Sequence, residues 1–191
     1  RTEVTTKNSG TTLSSTGYGY DTASRLTNVT DGAYSAGYSY VANSPLIGQI
    51  DFKQNSTVRM STIKHYDYLN RLQSIASHPG GSPSPASLSF SYQYNDANQR
   101  TRLTLADGSY WLYGYDSLGQ VKSGKRYWSD HVPVAGQQFE YGFDDIGNRT
   151  TTKAGGDSQG GNLRSASHTA NSRNQYTSRS VPGGMDVLGL A

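Results

Sequence analysis

The sequence predicts an all-β protein, a repetitive antiparallel array of β-hairpins with no significant helix. Composition is the first reason: of 191 residues only 33% are apolar and 16% charged, and 22 are Gly. Each Gly costs about 1 kcal/mol inside a helix relative to Ala, and the abundant Ser, Thr and Asn compete for backbone hydrogen bonds. Bundles and coiled coils are thereby excluded. The second reason is the aromatic content, 15 Tyr in a chain otherwise polar enough to be disordered. The third is internal repetition.

The repeat unit is an aromatic pair, an acid or amide, a short turn, and then Arg with an apolar residue. The copies start at Tyr18-Gly-Tyr20-Asp21 with Arg25, Tyr66-Asp67 with Arg71, and Tyr92-Gln-Tyr94-Asn95 with Arg100. They continue at Tyr113-Gly-Tyr115-Asp116 with Gly119 and at Tyr141-Gly-Phe143-Asp144 with Gly147 and Arg149, and Tyr38-Ser-Tyr40 opens a decayed copy. Each copy reads as strand, turn, strand, because Tyr-x-Tyr alternates and Asp, Asn and Gly tolerate left-handed backbone angles. The aromatics are expected on one face, with Tyr aligned on Tyr between neighbouring hairpins.

Two-residue hairpin signals, Asp31-Gly32 and Asp107-Gly108, fall between copies. After the second, Ser109 to Tyr115 is rich in aromatics, so that strand should pack on both faces. Leu26 with Val29 and Leu72 with Ile75 are spaced by three, which suggests a bulge or a strong twist. The Pro- and Gly-rich run from His78 to Pro85 reads as an exposed hairpin loop.

The expected organisation is a hairpin array of about six repeats over residues 1–153, followed by a Gly/Ser/Asn-rich extension over 154–191. That extension is expected to take its order from a neighbouring chain or a larger body, with Tyr176 and Val187 to Leu190 as its apolar anchors. Starting on Arg1 and stopping in the apolar stretch Met185 to Ala191, the chain reads as a processed product or a piece of something longer.

The repeats closely resemble the YD-repeat, or Rhs-repeat, family, which includes the shells of bacterial Rhs proteins and Tc-toxin C components and the teneurin ectodomain. Leu105 to Trp111 and Gln137 to Arg149 look especially like bacterial members. The resemblance implies a long antiparallel sheet that spirals into a wall around cargo, in a secreted or surface-exposed bacterial protein. No self-cleavage motif of the Asp-Pro-Gly kind is present, so autoproteolysis does not follow.

Motifs that could carry chemistry are weak. With no Cys there is no disulfide, thiolate metal site or Cys nucleophile. Gly156-Asp-Ser-Gln-Gly160 matches a nucleophile elbow but lacks the flanking strand and helix. Gly119 to Arg126 nearly matches a phosphate-cradling loop, with Arg126 where magnesium needs a hydroxyl. His65, His78, His131 and His168 lack metal-ligand spacing, and Asp144-Asp145 is explained as turn chemistry. Three glycosylation sequons, at Asn28, Asn55 and Asn148, are about the chance number.

No catalyst, cofactor or metal is expected. The net charge of +3 is dispersed, so no nucleic-acid partner is expected, and no run reaches the ~18 apolar residues of a membrane helix. The leading expectation is a non-enzymatic wall or scaffold whose partners are other copies of itself or the rest of a longer repeat chain. The alternatives are a filament built by end-to-end hairpin addition, and a glycan- or partner-binding module presenting Trp111 and Trp128.

Overall fold

A computed structural model describes residues 2–80 and 88–183. Among them are fifteen strands and no helix. In chain order these are β1 (Glu3–Asn8), β2 (Thr11–Tyr20), β3 (Leu26–Asp31), β4 (Tyr34–Tyr40), β5 (Ile47–Gln54), β6 (Thr57–Tyr66), β7 (Leu72–Pro79) and β8 (Leu88–Tyr94). Then come β9 (Arg100–Leu105), β10 (Tyr110–Tyr115), β11 (Val121–Tyr127), β12 (Pro133–Phe143), β13 (Arg149–Gly155), β14 (Leu163–Ala170) and β15 (Tyr176–Arg179). Strand order follows chain order, each strand lying beside the next in sequence. The chain divides into two compact units, Arg1–Ser91 and Tyr92–Ala191.

In the first unit the register puts Tyr18, Val29, Ala36, Phe52 and Met60 in one cross-strand row, with Tyr38 and Ile50 in the next row on the same face. Asn28, Gly37, Asp51, Ser61 and His78 line the other face. The pleat therefore separates an aromatic and aliphatic face from a polar one.

The second unit shows this division only in part. Tyr113, Gly124, Phe139, Ala154 and Arg164 form one row, while Ser123, Glu140, Lys153 and Ser165 form a row on the opposite face. Glu140 there bridges Lys125 at 2.6 Å and Lys153 at 3.6 Å, and the Lys125 side chain holds its carboxyl below the ordinary value.

The spacing of three is resolved as a bulge. One residue before five of the repeat turns the register slips, between Gly19 and Tyr20, Ser39 and Tyr40, His65 and Tyr66, Gly114 and Tyr115, and Gly142 and Phe143. The extra residue sits on the strand leaving the turn, as Thr27 does between Leu26 and Asn28.

The two hairpin signals turn out differently from expectation. Asp31 pairs with Tyr34, so the loop residues are Gly32 and Ala33, one step later than the Asp-Gly dipeptide. Asp107-Gly108 sits inside a longer turn that closes from Leu105 N–H to the Ser109 carbonyl at 2.8 Å. Asp107 is drawn into it because its carboxylate accepts the Ser109 N–H at 2.9 Å.

β10 packs on both faces. Tyr110, 4% exposed, stacks on Tyr127 with centroids 5.4 Å apart, while Trp111 on the other face stacks on Phe139 at 6.1 Å and on its neighbour Tyr113.

Beyond residue 153 the array continues. β14 pairs with β13, and β15 with β14, through turns like those before them. The hairpin loop expected near residues 81–85 and the apolar stretch Met185 to Ala191 lie outside the described residues.

Candidate functional site

The residues that recur are those of the repeat turn, which has one construction except after Tyr40. In the first, Asp21 N–H donates to the Arg25 carbonyl at 2.9 Å and Ser24 N–H to the Asp21 carbonyl at 3.0 Å. One Asp21 carboxylate oxygen accepts from the N–H groups of Ala23 and Arg25, and the other accepts from Arg25 Nε at 2.7 Å. Asp67 does the same with Leu69 and Arg71, its Arg71 Nε contact being 2.6 Å.

Asp116 and Asp144 keep the backbone half of this pattern. At Asp144 the second oxygen accepts from Asn148 Nδ2 at 2.9 Å instead of from arginine. The fourth residue of these turns must adopt positive φ, which falls on Asn70 (61°), Gly119 (83°) and Gly147 (89°).

Buried N–H donors around a carboxylate favour its charged form. The Arg25 N–H accordingly holds Asp21 below its ordinary value, and the Asn148 side chain does so for Asp144. At Asp67 burial pushes upward, but the backbone N–H and guanidinium of Arg71 outweigh it.

Three turns escape a reading that looks for aromatic pairs. Asp157 and Asn171 head turns of identical hydrogen bonding, with Gly160 and Asn174 at positive φ. Trp128 to Val132 is another, with His131 at φ 72°. The signal common to all of them is an N–H-to-carbonyl closure four residues apart, with Gly, Asn or another residue in the left-handed region before the closing position.

Successive repeats meet through the tyrosine hydroxyls, which corrects the expected alignment of Tyr on Tyr. Tyr40 donates to the Leu26 carbonyl at 2.8 Å, Tyr66 to the Ile47 carbonyl at 3.0 Å and Tyr115 to the Arg100 carbonyl at 2.7 Å. The reason is distance. Equivalent tyrosines lie two strands apart, roughly 9–10 Å, beyond the 4.5–7 Å of ring stacking. The phenol therefore spans the gap lengthwise. Arginine fills what remains: Arg25 lies 4.4 Å over the Tyr40 ring and donates to the Ser44 carbonyl of the next turn at 2.8 Å. Arg100 lies over Tyr92 and Arg149 over Tyr141, within their own repeats.

The turns also touch along the edge they share. Gln99 Nε2 lies 3.1 Å from where a side chain on Gly119 would start, and Gln120 Nε2 stands likewise over Gly147. Asn148 Nδ2 donates to Asn174 Oδ1 at 3.3 Å.

Of the two tryptophans, Trp111 is held between Tyr113 and Phe139, whereas Trp128 is 46% exposed with Arg126 5.8 Å from its ring. The residues weighed for chemistry are dispersed. Ser158 lies in the β13–β14 turn, Lys122 to Arg126 in β11, and Asp144 in a repeat turn. His131 Nδ1 meets the Tyr110 hydroxyl at 2.7 Å and His168 Nε2 the Thr152 hydroxyl at 3.1 Å. Among the described residues no three His, Asp or Glu gather as metal ligands.

Residues 85–129, which hold the turns at Asn95 and Asp116, match the RHS Repeat family. That stretch is similar to an Rhs repeat. No curated protein matches it. The crystal structure of TcdB2-TccC3-Cdc42 is similar with a TM-score of 0.64 and 16% identity, over 91% of this chain and 9% of that one. The crystal structure of TcdB2-TccC3 without its hypervariable C-terminal region is similar with a TM-score of 0.50 and 15% identity, over 86% and 10%. The chain thus spans about a tenth of the length of these solved chains, and the likeness is one of fold.

Proposed function

We propose that this chain is a stretch of wall, a non-enzymatic structural segment of an Rhs-repeat sheet in a secreted or surface-exposed bacterial protein of the shell-forming, toxin-enclosing type. The observation that carries the reading is the use to which the recurrent residues are put. Asp21, Asp67 and Asp144 each commit one oxygen to backbone N–H groups and the other to a side chain of the same turn, and Tyr40, Tyr66 and Tyr115 donate their hydroxyls to the preceding hairpin. Residues committed in this way build edges and spacings.

The partner in this reading is the rest of a longer repeat chain. It rests on the open strand order, in which β1 and β15, among the described residues, each pair on one side, and on the small share of the similar solved chains that this sequence spans.

Electron microscopy of the native polypeptide tests it. A hollow particle whose wall contains this segment is the expected result. A compact particle with no enclosed space, or turnover abolished by substituting a side chain of this segment, overturns it.

A further inference from the structure

We infer that the array has a built-in parting line, at the junction between the turn 116–120 and the turn 144–148, and that Phe143 and Gln120 create it. At the other junctions within each unit, a tyrosine hydroxyl ties the later hairpin to the residue just after the earlier turn. Tyr40 ties to Leu26, Tyr66 to Ile47 and Tyr115 to Arg100, and the Tyr176 hydroxyl accepts the Arg149 N–H at 2.9 Å. The equivalent partner for position 143 is Val121, but position 143 is Phe and has no hydroxyl.

The same junction lacks the second tie. Arg25 and Asn148 hydrogen-bond to the turn that follows them. Gln120, at the same position of its own turn, only rests over Gly147. At the junction before it Gln99 makes no such bond either, but Tyr115 supplies the hydroxyl tie there.

The far end of these strands is held tightly. Between Lys125 and Tyr127 the β11–β12 register slips so that Val134 to Gln137 bulge out opposite Arg126. Gln138, 1% exposed, donates from Nε2 to the Arg126 carbonyl at 2.7 Å and the Val134 carbonyl at 3.2 Å. Val134 is 6% exposed, and Gly136 N–H reaches the Gly156 carbonyl at 2.8 Å. One end of β12 is fastened and the other, at Phe143, is not. Local opening therefore starts at the repeat-turn end and pivots about Gln138.

Native-state hydrogen exchange on the whole chain tests this. The amides of Val121 to Ser123 and Gly142 to Asp144 are expected to exchange faster than their counterparts at the Tyr115 junction, Arg100 to Arg102 and Gly114 to Asp116. Phe143→Tyr, which adds one oxygen, should slow exchange at the first set about fivefold, the worth of one net hydrogen bond, and leave the rest unchanged. Tyr115→Phe should speed the second set by a similar factor. Equal rates at the two junctions before substitution, or Phe143→Tyr without local slowing while Tyr115→Phe produces its effect, overturn the inference.

Discussion

At the scale of single residues, the first Asp of each repeat turn matters more as an acceptor than as a charge. Asn95 and Asn171 occupy the same position and keep the backbone bonds through their amide oxygens. Asp67→Asn should accordingly lower the thermal midpoint less than Asp67→Ala, which removes every acceptor; paired thermal melts check the order. The sign with pH follows from the same bonds. The carboxyls of Asp21, Asp67, Asp144 and Asp157 lie below their ordinary value in the fold. Their contribution is complete above the unfolded carboxylate range near ~4 and is lost as pH falls through the folded values. Urea titrations from pH 7 down to pH 3 should show level stability and then a decline, shallower when Asp67 is Asn.

Which of these residues could be read from the sequence depended on what carries the signal. Tyr20-Asp21 with Arg25 was legible because three residues of fixed spacing are committed to one turn. Asp157 and Asn171 were not, since they follow Gly156 and Ala170 where the other turns follow an aromatic. The hydroxyl ties were hidden for another reason: an alternating pattern shows which face a tyrosine takes but not how far its phenol reaches.

At the scale of the element, a turn tolerates change unevenly along its length. Gly147 has φ 89° and Gln120 above it, so Gly147→Ala should destabilise by about 1–2 kcal/mol through the left-handed backbone alone, measured by denaturant unfolding. Gln138 is the counterpart at the other edge. Replacing it with Leu leaves the Arg126 and Val134 carbonyls without its amide in a buried site, and about 1–3 kcal/mol should be lost. Bulges explain why hairpin positions were foreseen better than registers: a spacing of three was visible at Leu26 and Val29, but only pairing shows that Thr27 is the residue left over. The Asp107-Gly108 dipeptide misled because its turn is closed by Leu105 and Ser109, outside the pair.

At the scale of the whole molecule, each hairpin contacts mainly its neighbours in sequence, as in other repeat proteins. Stability should then be graded along the chain. For the chain as given, amides of β1 and β15, which among the described residues pair on one side, are expected to exchange first, and those around Tyr110 and Gln138, among the least exposed residues, last. Residue-resolved exchange that is uniform from end to end would contradict this. Composition and repetition made the architecture legible because an all-hairpin chain has few other ways to pair its backbone. The length of the array was less legible, since turns at 157–161 and 171–175 lie where Gly, Ser and Asn suggested a tail.

The turn at Val41 shows what such a chain can survive. It has no carboxylate, yet Val41 N–H still reaches the Leu46 carbonyl, and Ser44 lends its hydroxyl oxygen to Leu46 N–H. A hairpin can thus shed its signature acid and still pass the chain on to the next strand. Sequences of this kind are free to drift one unit at a time, and a tally of Tyr-Asp pairs will undercount the hairpins they form.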